Sequence, residues 1–255
     1  MKFFLTILLV VALTPPACPA FAREFRIVTL SSPPLAYEEK GQAAGLATEV
    51  VREAFRRMGH SVSIVVMPWK RALHAVRFAE ADAVFYAIHN SDREAWFHYS
   101  DEPLVVETTV MVRRAGSHVK LTLDKHAYES YVLGVGRGYY YGPKLGAFLD
   151  KARFAKVEEA TTIGSNFRKL ETGRLDVFLA DLLLAQYHID QNDAGDVVEI
   201  VRDEQGNPVV LDAASAFLAF SKATTAPKLA IEFSRILKEI KKDGTYSRIF
   251  GVYAP

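Results

Sequence analysis

Glu80-Ala-Asp-Ala-Val-Phe-Tyr-Ala-Ile-His-Asn-Ser-Asp-Arg93 is a short apolar run introduced by an aspartate and closed by a polar turn. Gly173-Arg-Leu-Asp-Val-Phe-Leu-Ala-Asp181 repeats that plan in the second half of the chain. Apolar runs of this length without alternation read as strands buried on both faces of a parallel sheet. Each run leads to a formal charge, Arg93 in the first half and Asp181 in the second. Ligands of open α/β sheets bind beyond the carboxyl ends of strands. The two charges are therefore expected to face one cleft, where a zwitterion fits between them.

Around these runs, strand and helix patterns alternate. Phe25–Leu30 opens as a strand, Thr48–Met58 has helical apolar spacing, and Gly59 stops it. Ser61–Met67 is β-branched, Trp69–Ala79 returns to helical spacing, and Leu104–Arg113 is a long β-rich segment. The second half predicts strands at 131–135, 155–158, 175–180, 197–201, 208–211 and 214–220. Helices are predicted at 142–152, 163–171, 181–189 and 227–242, the last closed by Gly244. Such alternation argues for α/β architecture with helices on both faces of the sheets.

The N-terminus carries Lys2, an apolar run from Phe3 to Leu13 of about eleven residues, and Ala20-Phe21-Ala22. A membrane span needs ~20 apolar residues, so this reads as a secretory signal cleaved after Ala22. Cys18 is the one cysteine, so the mature chain can form no disulfide. Lipidation of Cys18 is the alternative, against which Pro15-Pro16 stand. Without residues 1–22 the chain has 30 Lys and Arg against 30 Asp and Glu, with no basic block. Nucleic acid and anionic membrane surfaces are not expected partners.

Several motifs in order carry a family resemblance. Pro33-Pro-Leu-Ala-Tyr37 with Gly45-Leu-Ala-Thr-Glu-Val50, Pro68-Trp-Lys-Arg71, and Asp82 through Arg93 to Tyr99-Ser-Asp-Glu-Pro103 come first. Glu171-Thr-Gly-Arg-Leu-Asp-Val177 with Asp181, and Lys242-Asp-Gly-Thr-Tyr-Ser-Arg-Ile-Phe250, complete the set. The chain resembles the bacterial extracellular solute-binding proteins of family 3, which serve amino-acid ABC transporters. The resemblance implies a two-lobed periplasmic binding protein fold of type II, with parallel-rich mixed sheets and two hinge-crossing strands near Val110–Gly116 and Ala213–Phe220. Lobe 1 would comprise residues 23–112 plus 213–255, and lobe 2 residues 113–212. It also implies a periplasmic monomer that captures a small polar ligand by hinge closure and delivers it to a membrane permease, without covalent chemistry.

By the same resemblance Arg93 would hold a ligand carboxylate and Asp181 its ammonium. A guanidinium fork matches a carboxylate; a surface ion pair of Arg93 with Asp92 or Glu94 is the alternative. For Asp181 the alternative is a cap on the helix that follows it, a role that can coexist with ligand contact. Tyr37 and Trp69 would supply aromatic walls, with ordinary core packing as their alternative. Asn90, Tyr139 and Arg71 complete the candidate ligand contacts, Arg71 having a helix-face salt bridge as its alternative. Ala47, Asn90 and the run Tyr139-Tyr140-Tyr141 depart from the family pattern and leave the ligand's identity open. An aromatic or cationic ligand, or one that is not an amino acid, fits as well.

Gly134-Val-Gly-Arg-Gly138 follows a strand, but a dinucleotide fingerprint needs a third glycine where Tyr139 stands. The seven histidines lack metal-ligand spacing, so neither a cofactor nor a metal is expected. Two rival functions remain: an enzyme on the same fold, resembling cyclic-acid dehydratases with Glu49 or His89 as acid or base, or a periplasmic sensor or effector module.

Overall fold

Asp82 and Asp176, which introduce the two quoted strands, act alike. Asp82 accepts the Arg26 N–H at 3.0 Å and donates its own N–H to the Arg26 carbonyl at 2.7 Å. Asp176 accepts the Val132 N–H at 2.7 Å and donates to the Val132 carbonyl at 3.0 Å. Each acid thus ties its strand to the start of a parallel neighbour and satisfies backbone groups there.

The computed structural model describes residues 23–119 and 126–253. The expected signal segment, residues 1–22 with Cys18, lies outside the described residues. The first half runs β1 (Glu24–Thr29), β2 (Tyr37–Glu39), β3 (Gln42–Ala44), α1 (Leu46–Arg57), β4 (Ser61–Val66), α2 (Trp69–Arg77) and β5 (Ala83–Ile88). A 3-10 turn (Ser91–Arg93), β6 (Phe97–Tyr99) and β7 (Val105–Arg114) follow. The second half runs β8 (Val132–Gly136), α3 (Gly142–Leu149), β9 (Lys156–Ala160), α4 (Ile163–Glu171), β10 (Val177–Asp181) and α5 (Leu182–Asn192). It continues through β11 (Val198–Ile200) and β12 (Val210–Ser221) to α6 (Lys228–Lys242) and α7 (Thr245–Phe250).

The main sheet has the order β4-β1-β5-β12-β7-β10-β8-β9, with β6 added on β12 and β11 on β7. Its two wings are parallel, β1 with β4 and β5, β8 with β9 and β10. Its middle is antiparallel. There β7 and β12 cross between the lobes, paired from Val105–Val110 against Val210–Ala216. This lies a few residues earlier in β7 than the expected crossing. Both quoted strands, β5 and β10, are buried along their whole length, as their unbroken apolar runs require.

Two lobes are visible as separate cores. One gathers Phe25, Phe55, Phe85, Phe220 and Phe233 and extends along the chain to Val105, then resumes at Ala216. The other lobe holds two clusters on the opposite faces of its sheet, one around Phe167 and Phe178 and one around Met111 and Leu133.

The elements differ from the sequence expectation in three places. Segments 208–211 and 214–220 form one strand, because β12 absorbs Leu211 at a register shift against β7, pairs Asp212 with Thr109 and continues. Gly244 closes α6 but also starts α7, whose Tyr246 and Phe250 are buried and stack at 4.2 Å. The hairpin β2–β3 and strand β6 are three residues each, too short to show a period.

Candidate functional site

The ladder between β5 and β12 skips one residue. Phe85 faces Leu218 and Ala87 faces Phe217, so Tyr86 between them is unpaired. Its φ is +67°, a left-handed conformation that costs a tyrosine about 1 to 2 kcal/mol. Bulges re-aim side chains, and this one points Tyr86 into the gap between the lobes. The Tyr86 hydroxyl is buried and faces Ser32 without a well-formed hydrogen bond.

Two narrow cavities occupy that gap and share Leu30, Tyr86, Glu107 and Tyr139. The first adds Trp69, Ile88, Arg93 and Tyr140. The second adds Ser32, Tyr141 and Asp181 among its walls. Space wide enough for a water centre is about 20 Å³ in the first and about 10 Å³ in the second. Each therefore admits about one water molecule, and the lobes are closed upon each other.

Arg93 reaches the gap from the 3-10 turn after β5, a turn shaped by Asn90, whose side chain accepts the Asp92 N–H at 2.8 Å. The Arg93 guanidinium donates to the Gly138 carbonyl across the cleft at 3.3 Å and lies 5.8 Å from the Trp69 ring centre. Burial pulls its pKa below the ordinary guanidinium value. Among the described residues it has no carboxylate partner, neither Asp92 nor Glu94. Glu94 instead bonds His89 at 2.8 Å.

Asp181 ends β10 on the far side. One carboxylate oxygen caps α5 by accepting the Leu184 N–H at 3.1 Å, and the other accepts the Thr108 N–H of β7 at 2.9 Å. The helix-cap alternative and a position on the cleft thus coexist. Burial nonetheless outweighs these bonds and raises Asp181 to about 6. Beside it stands Glu107, pushed up to about 8 by burial and then by Asp181.

Tyr139 fills the middle. Its ring lies 6.4 Å from Trp69 and 6.0 Å from Tyr141, and it packs against the cores of both lobes. The glycines declined as a dinucleotide motif serve this packing. A Cβ on Gly136 would stand 2.5 Å from the Tyr139 ring, and Gly138 turns with φ +75° to present its carbonyl to Arg93. The Tyr141 hydroxyl accepts the Gly136 N–H at 2.8 Å and fixes the loop from behind.

Of the sequence candidates, Arg93, Trp69, Tyr139 and Asp181 line the cavities. Tyr37 lies on the β2–β3 hairpin, Asn90 shapes the turn, and Arg71 is exposed on α2; none of the three lines either cavity. Glu49 bonds Arg52 at 2.6 Å on the surface, and neither it nor His89 lines the two cavities. Sequence reasoning missed Tyr86 and Glu107. Glu107 had a readable signal, an acid inside the run Val105-Val-Glu-Thr-Thr-Val110. The bulge that aims Tyr86 had none.

Among known families, the bacterial extracellular solute-binding proteins, family 3, match residues 25–254. No curated protein matches the chain in sequence. Among solved structures, an ancestral arginine-binding protein bound to arginine is similar with a TM-score of 0.77 and 20% identity, over 91% of this chain and 98% of that one. A histidine kinase sensor domain with similarity to periplasmic binding proteins gives 0.76 at 16% identity, over 91% and 96%. The arginine-, lysine-, histidine-binding protein ArtJ from Geobacillus stearothermophilus gives 0.74 at 18%, over 91% and 95%. Likeness at such identity carries the fold, whereas ligand and partner are decided by the site.

Proposed function

Since the chain belongs to the bacterial extracellular solute-binding proteins of family 3, we propose that it captures a small polar ligand, an amino acid or a relative, between its lobes. It holds the ligand by hinge closure and hands it to an ABC transporter permease from the periplasm. The expected lobes are residues 23–112 with 213–255, and 113–212, although Val110, Met111 and Val112 pack in the second. The change of core between Val105 and Val110, and between Leu211 and Ala216, supports a crossover within β7 and β12.

One observation carries the reading. The Arg93 guanidinium is half-buried in the cleft beside the Gly138 carbonyl and the Tyr99 hydroxyl, and no carboxylate pairs it among the described residues. Buried charge is unfavourable unless paired. A ligand carboxylate completes the pairing in the closed state alone, which is how a ligand shifts an open–closed equilibrium. Asp181, on the opposite wall, accepts an ammonium. Trp69 and Tyr139 cover the apolar part of the ligand.

The test is a thermal-shift screen of amino acids, polyamines and small organic acids against the mature chain. A ligand that binds the native state alone raises the melting temperature. Arg93→Ala is expected to abolish the shift for carboxylate ligands and to leave unliganded folding near normal, because no ion pair is lost. An unchanged shift removes Arg93 from the site. Steady conversion of a bound compound, in place of stoichiometric binding, would establish the enzyme reading instead.

A further inference from the structure

Glu107 has no role in a simple clamp of Arg93 and Asp181 around a zwitterion. It stands on β7 where the two cores change over, it is 9% exposed, and it lines both cavities. No hydrogen bond or ion pair reaches its carboxyl among the described residues. Asp181 faces it from the end of β10, Tyr86 from β5, Tyr139 and Tyr141 from the segment before α3, and Arg93 from the other end of the shared cavity. On β12 its strand partner is the apolar Ala214. The neighbouring Thr108 N–H holds Asp181 in place at 2.9 Å. The cleft therefore presents two carboxyls among tyrosines at one end, and one guanidinium with Trp69 at the other.

We infer that Glu107 adds a second cation contact beside the Asp181 ammonium site, so that the cleft takes ligands carrying one more positive than negative charge, such as diamino acids, ahead of simple zwitterions. This rests on the cleft being the solute site. Without ligand, Glu107 is held at about 8 by burial and by Asp181 and is protonated at neutral pH. An ammonium or guanidinium beside it favours the carboxylate, and the displaced proton passes to solvent. Capture of the cation thus releases a proton, and affinity rises with pH below that value by up to about tenfold per unit.

The experiment is calorimetric titration of the mature chain with L-lysine and L-norleucine, which share a carbon skeleton and differ by the terminal ammonium. Titrations run in two buffers of different ionisation enthalpy and at several pH values. The wild type is expected to favour lysine by on the order of a hundredfold, as for a buried charge pair, and to release a proton with lysine alone. Glu107→Gln is expected to collapse the lysine-to-norleucine ratio toward one. Equal binding of the two probes by the wild type, lysine binding without proton release, or an unchanged ratio in Glu107→Gln overturns the subsite. The proton count needs no variant, so a folding defect in Glu107→Gln leaves the test intact. No lysine response in a chain that responds to another small acid overturns the subsite and leaves the solute-binding reading standing. Silence toward every compound of the screen removes both.

Discussion

Replacing Glu107 by glutamine is expected to flatten the pH dependence of stability. The Glu107 carboxyl titrates at about 8 in the folded chain, against ~4.3 when unfolded. Between those values the native state binds a proton that the unfolded state lacks. The associated stability is fully present below the unfolded value and is lost as pH rises through the folded one, at about 1.4 kcal/mol per unit. From about pH 5 to about pH 8 the loss reaches about 4 kcal/mol, a ceiling because parting of the lobes would rehydrate the acid. Asp181, raised to about 6, acts with the same sign over a lower window. His98 and His188, lowered mainly by burial, act with the opposite sign. All three titrate in both proteins and cancel in the comparison. Urea denaturation of the unliganded wild type and Glu107→Gln across this range measures the difference. Profiles parallel to within about 0.5 kcal/mol, the range of an ordinary surface substitution, would refute the burial of Glu107.

Asp181→Ala removes both the cap on α5 and the acceptor of the Thr108 N–H, and is expected to lower stability at neutral pH by about 1 to 3 kcal/mol in urea denaturation. Asp181→Asn keeps a capping oxygen and should recover most of that loss. Tyr139→Ala deletes a ring shared by both lobes and should cost about 3 kcal/mol, seen as a lower denaturation midpoint. Gly136→Ala places a methyl 2.5 Å from that ring and should cost about 1 to 3 kcal/mol by overpacking, with a change in tyrosine fluorescence as Tyr139 shifts.

The fold was legible in the sequence because its strands are buried on both faces. β5 and β10 carry no alternation to mistake, and their leading aspartates mark where each parallel neighbour begins. What stayed hidden depends on partners distant along the chain. β12 looked like two strands because Asp212 breaks its apolar pattern, and only pairing with β7 shows that Asp212 sits opposite Thr109 after a shift that skips Leu211. The site divides in the same way. Arg93 and Asp181 were readable because each follows an apolar run with a formal charge. Tyr86 was not, since its aim depends on one residue skipped against β12. Glu107 sits in plain view as an acid among β-branched residues, and reading Leu104–Arg113 simply as a β-rich segment gives its charge no role.

These positions share a logic that is energetic before it is geometric. A left-handed tyrosine, a guanidinium without a carboxylate partner and an unpaired buried acid are each unfavourable in the closed arrangement. All three converge on one gap, while the charged side chains elsewhere on α1 and β9 are paired on the surface. The packing of Tyr139 against both cores offsets their cost and lets the lobes meet unliganded. A molecule that offered a carboxylate to Arg93 and a cation to Glu107 would have to displace Tyr139, since each cavity of the closed gap holds about one water, and would relieve two of the three liabilities when the lobes close on it. Differential stabilisation of that kind is what couples occupancy to closure. It also makes the preference of the closed state sensitive to the charge of the guest, because an uncharged isostere would leave the same acid buried and unpaired.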